Sequence, residues 1–107
     1  MIVLDESRMK DLLVIFDRKI AEGDLKAIQQ ITSTIRGASE NSVVLYTGMK
    51  ASFIAQNAPY IGVDKAFRYA SAFFDEHINS NKAVFEAYSG IEKRLLVANQ
   101  NNGKEGQ

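Results

Sequence analysis

The chain of 107 residues has no cysteine, no tryptophan, one proline and one histidine. Without cysteine there is no disulfide framework, no thiol nucleophile and no thiolate metal site. The single histidine, His77, has no second histidine three or four residues away, the spacing a zinc-binding helix uses. An excess of one charge is also missing. Thirteen basic side chains balance 13 acidic ones, whereas a dedicated polyanion binder carries a marked basic excess. Long apolar runs are absent too. The most apolar window, 42–58, holds Lys50, Gln56, Asn57 and several hydroxyls, and it is shorter than the roughly 20 residues needed to cross a bilayer. The start, Met-Ile-Val-Leu-Asp-Glu, has neither the basic stretch nor the long apolar run of a secretory leader. Position 2 is Ile2 rather than the glycine that accepts a myristoyl chain. These absences set the expectation of a cytoplasmic protein with no membrane span, metal or cofactor.

What is present is ordinary globular material, 46% hydrophobic and 24% charged, enough for one core without covalent staples. Its periodicity is helical nearly throughout. Over 5–22, Met9, Leu12, Leu13, Phe16 and Ile20 fall on one stripe, with Asp5 or Ser7 as the start cap and Gly23 as the stop. Asp24 opens a second segment marked by Leu25, Ile28, Ile31 and Ile35, which Gly37 is expected to end. A polar link over 38–41 leads to a third, 42–57, in which Val43, Val44, Leu45, Tyr46, Met49, Phe53 and Ile54 surround much of the helix. In that segment Gly48, Ala51, Ser52 and Ala55 are small and would admit a neighbouring helix. Pro59 and Gly62 are expected to close it. The fourth segment, 63–79, devotes about half its circumference to Val63, Ala66, Phe67, Ala70, Phe73, Phe74 and Ile78. The last, 81–98, presents Val84, Tyr88, Ile91 and Leu95. The expectation is an all-α, compact bundle of about five helices over 1–98, followed by a flexible polar tail over 99–107.

No catalytic constellation emerges. None of the eight serines sits in a glycine-flanked strand-to-helix elbow, and the glycines are isolated rather than gathered in a phosphate loop. Asp75, Glu76 and His77 are ligand types, but neighbours on a helix point about 100° apart and cannot converge on one ion. His77 falls inside the apolar face and in the expected last turn of its segment, where an imidazole caps carbonyls and favours the helix dipole. Ala58-Pro59-Tyr60-Ile61-Gly62 has the alanine-to-glycine spacing of a helix-turn-helix turn. Pro59 would however lie inside its first helix, and Asp64, Asp75 and Glu76 would repel phosphate from its second.

Two distributions point elsewhere. Nine of the ten Phe and Tyr residues lie between Tyr46 and Tyr88. A tyrosine hydroxyl needs a partner when buried, so tyrosines favour rims and interfaces. Charge is also uneven: 1–22 carries nine charged side chains, whereas 41–62 carries only Lys50. A 22-residue stretch this poor in charge must be covered, by the chain's own helices or by another chain. The expected function is thus protein–protein interaction without chemistry, as a regulator, inhibitor or assembly adaptor of a bacterial or phage system. It would act on a protein partner or as a homodimer through 41–62 and the adjacent aromatics, with Tyr46, Lys50, Tyr60, Arg68 and Tyr69 as candidate contact residues. The alternative is a dimeric all-α DNA-binding regulator.

Overall fold

The computed structural model describes the backbone of residues 3–105 and the side chains of residues 3–97. Among them the chain is all helix, in three elements: α1 (Glu6–Glu22), α2 (Leu25–Ile61) and α3 (Val63–Glu105). Each start and turn follows from local chemistry. The Asp5 carboxylate accepts the Arg8 amide at 2.8 Å, and Asp24 accepts the Ala27 amide at 3.1 Å, so each caps a helix whose first amides lack partners. Gly23 takes the left-handed conformation, φ 71°, that closes α1, with its amide on the Ile20 carbonyl. Gly62, at φ 89° and ψ 153°, makes the one-residue turn between α2 and α3, a geometry in which a side chain is strained.

The expected five helices are three, because two of the expected breaks are not breaks. Gly37 sits inside α2, between Ile35 and the Ala38–Ser39 pair, all essentially inaccessible to water. Thr32 and Ser39, poor helix formers on their own, donate their hydroxyls to the carbonyls of Ile28 and Ile35 four residues back, both at 2.7 Å. Burial thus outweighs the roughly 1 kcal/mol that glycine costs inside a helix. The second break fails in the same way. Asn81 turns its amide back onto the His77 carbonyl at 2.7 Å, and Ile78 is buried, so 63–79 and 81–98 are one helix. Pro59 does not end α2 at Ala58. It lies in the last turn, where the helix runs on to Ile61 and only the Ala55 carbonyl loses its donor. The backbone of α3 is helical to Glu105, while the expected mobility of the 99–107 tail concerns side chains and end residues outside those described.

The architecture is a long helical hairpin with a short strap, not a compact bundle. Arg36 meets Glu92, Tyr46 meets His77, Lys50 meets Asp75 and Phe53 meets Phe73. Each step forward along α2 is a similar step back along α3, so the two run antiparallel side by side. Small buried residues line their seam, among them Ala38, Ser39, Ser42, Ala66 and Ala70. The molecule measures 66 × 26 × 19 Å, with a radius of gyration of 18.5 Å; a compact chain of this length has about 13 Å. Helix α1 packs on the base of the hairpin through Phe16, whose ring meets Tyr88 edge-on at 5.3 Å.

Candidate interaction surface

The hairpin has two grooves, and they are closed by different means. On one side the closure is polar. Glu92 accepts the Ser33 hydroxyl at 2.8 Å and pairs with the Arg36 guanidinium at 3.1 Å, joining α2 to α3 near the base. The Ser33 hydrogen bond, aided by Arg36, holds the Glu92 carboxyl below the usual carboxylate range against the opposing pull of partial burial. Nearer the tip, Lys50 pairs with Asp75 at 2.6 Å and lies over the Phe67 ring, 4.8 Å from its centre.

The other groove is of mixed polarity, and α1 packs along its α2 side. Leu4, Met9 and Leu13, with the charged Asp5, Glu6 and Lys10, share a cavity of about 520 Å³ with Ser42 and Tyr46 of α2 and with Glu76, His77 and Val84 of α3. Helix α1 has 17 residues and α2 has 37, so at 1.5 Å per residue α1 covers about 25 Å of a hairpin about 55 Å long. The remaining 30 Å or so, towards Gly62, has no third layer.

Helical phase shows what that leaves bare. Ala38, Ser42, Leu45, Met49 and Tyr60 fall within an arc of about 60° on α2. At the level of α1, Ala38 and Ser42 are buried; beyond it Leu45, Met49 and Tyr60 are exposed, Tyr60 to 86%. The corresponding row of α3 behaves alike. Ile91 and Val84 are half-buried, whereas Phe73 and Tyr69 stand 58% and 51% exposed. Val44 and the small residues Gly48, Ala51, Ser52 and Ala55 continue the bare, uncharged surface round the back of α2. The charge-poor stretch 41–62 is therefore covered by the chain's own helices on one side only.

No family model, curated protein or solved structure matches this chain.

The candidate contact residues divide. Tyr60, Arg68 and Tyr69 are exposed near the tip. Tyr46 is not at a rim: it is half-buried in the α1 groove, stacked on His77 at 5.0 Å and 16°. Lys50 is spent on Asp75 in the opposite groove. His77 does not sit in a last turn, since α3 runs on past it; its ring lies in mid-helix against Tyr46. Leu45, Met49 and Phe73 belong to the bare face and were not singled out as contact residues from the sequence. Their signal was helical phase shared with Ala38 and Val84, which becomes visible only when the segments are known to be continuous. The Ala58–Gly62 turn folds α3 straight back along α2, whereas a helix-turn-helix holds its helices at about 90–120°. Among the described residues there is no cluster of three metal-ligand side chains, and no helix is long and apolar enough to cross a membrane.

Proposed function

We propose that this chain is a small non-catalytic helical protein that works by protein–protein contact through the bare tip of its α2–α3 hairpin. The observation that carries the reading is the change of exposure along one helical face. The row that is buried or half-buried at the base, where α1 packs, continues as exposed Leu45, Met49, Phe73 and Tyr69 at the tip. The largest apolar patch on a monomer is typically about 300–600 Å² and often serves binding. The elongated shape favours this role, because a rod ending in a sticky two-helix tip presents its contact surface clear of its own folded base. Regulators, inhibitors and assembly adaptors can all be built on such a device.

The test is affinity capture from the native lysate with three baits: wild type, Met49→Glu, and Arg68→Ala combined with Tyr69→Ala. All three should show the same helical circular dichroism, while proteins held by the wild type are lost from the tip variants. Equal capture by all three baits overturns the reading.

A further inference from the structure

We infer that the bare face of the hairpin tip binds the same face of a second copy of this chain, the two tips overlapping antiparallel as a four-helix bundle. This rests on the reading of the tip as a contact surface and names its occupant. Three observations converge on a copy of the chain.

Length comes first. The tip leaves about 30 Å of groove uncovered, and a second tip is itself a two-helix layer about 30 Å long. Helix α1 then dictates the direction. It lies along the same face at the base, so two hairpins laid face to face in the same direction would bring their α1 helices into collision. Laid in opposite directions, each tip occupies the space next to the other's α1, and both grooves are filled from end to end.

Charge fits the same two-fold axis. In the antiparallel arrangement α3 crosses α3 of the copy, and α2 crosses α2. The bare part of α2 carries no charge except Lys50, which is paired with Asp75 on the far groove, so α2 meets itself without like-charge opposition. On α3, Lys65, Tyr69, Phe73 and Glu76 lie within an arc of about 80°. Lys65 and Glu76 are exposed, and neither is in an ion pair among the described residues. They flank the aromatics with opposite signs, Lys65 near the turn and Glu76 at the boundary, on the rim of the cavity beside α1. An isologous antiparallel contact sets each Lys65 against Glu76 of the other copy, twice per dimer, whereas a parallel two-fold contact would set both against the uncharged α2 of the copy.

Area is sufficient. An aromatic side chain carries about 150–250 Å². With the exposures of Tyr60, Tyr69, Phe73, Leu45 and Met49, the face therefore offers roughly 500 Å² of apolar surface per chain. A standard stable interface buries about 800 Å² per partner, of which about three-fifths is apolar.

Sedimentation of the purified full chain tests this with no other protein present. The expected species has twice the 11.9 kDa chain mass. Phe73→Glu, or Met49→Glu where the first unfolds, should return it to monomer with helicity kept. Lys65→Glu alone and Glu76→Lys alone should each weaken association roughly tenfold. Mixing those two variants should restore it as a heterodimer, because each glutamate then faces a lysine. A wild-type chain that stays monomeric to about 200 µM, an affinity weaker than such an interface supports, overturns the dimer. So does a Lys65→Glu chain that dimerises as well as wild type. A monomeric wild type whose tip variants still lose capture in the lysate would overturn the second copy alone and leave the contact surface standing.

Discussion

The Tyr46 ring lies nearly parallel to the His77 imidazole, 5.0 Å away, at the level where α1 begins. Below this stack α1 borders the groove around a cavity of about 520 Å³, and above it the groove is open. The pair therefore forms the floor at the boundary between the covered and the bare face. Stacked rings are worth about 0.5–1.5 kcal/mol beyond the area they bury. A double-mutant cycle with Tyr46→Leu and His77→Leu, read by urea unfolding, is expected to give a coupling energy in that range. A coupling near zero would mean that the rings are neighbours without attraction.

Gly37 is the clearest place where local propensity and the fold disagree. A methyl group added there meets no atom within 4 Å, and φ is not positive. Gly37→Ala is therefore expected to stabilise the chain by about 0.5–1 kcal/mol, by restricting the unfolded state and favouring the helix. Gly62 has as much space, but its φ of 89° is left-handed. Gly62→Ala should destabilise by more than about 1 kcal/mol. Urea midpoints of the two variants should move in opposite directions.

The same residues explain how far the sequence could be read. The helical class was legible because stripes such as Met9–Leu13–Phe16 need only local spacing. The charge count was equally informative: 41–62 is the stretch whose outer face the fold leaves bare. Helix number was not legible. Gly37 is a sound stop signal in isolation, and what overrides it and the break expected between 79 and 81 is burial of Ile35, Ala38 and Ile78 by residues far away in sequence. The misplacement of His77 follows from that, since a histidine in a last turn and one in mid-helix have different neighbours. Tyr46 was expected at a rim for its hydroxyl, but its ring is held by His77, and only the position of α1 decides which tyrosines are covered.

Glu92 ties the base of the hairpin, and its titration should be visible in acid. Its carboxyl is held below the ordinary value of 4.5 by the Ser33 hydroxyl first and by Arg36. A group with a lowered folded pKa contributes stability that is present above its unfolded value and lost as pH falls through the folded one. Between pH 7 and pH 3 the urea midpoint of the wild type should fall more steeply than that of Glu92→Gln, with the two curves converging at the acid end. Ser33→Ala should lie between them. Parallel curves would show that the link does not depend on the charge of Glu92.

Helix α1 is held chiefly through Phe16, and Tyr88 reports on whether it is docked. Phe16 is 7% exposed with its ring on Tyr88, and large-to-small changes at such positions cost about 3–5 kcal/mol. Little else of α1 is buried, so Phe16→Ala should release the helix while the α2–α3 hairpin persists. Amide exchange should then quicken across 6–22 but stay slow around Ile35 and Ile78. The Tyr88 phenol gives an independent signal. Burial, and secondly the charge of Asp17, raise it above the ordinary 10.0. Undocking α1 should bring it back down, seen as an earlier phenolate absorbance rise in alkaline titration. The sign of the linkage adds one more expectation. A raised folded pKa contributes stability that is present below the unfolded value and lost as pH rises through the folded one. In the wild type, α1 should therefore loosen in alkali while the hairpin seam, built on alanines, serines and isoleucines, holds.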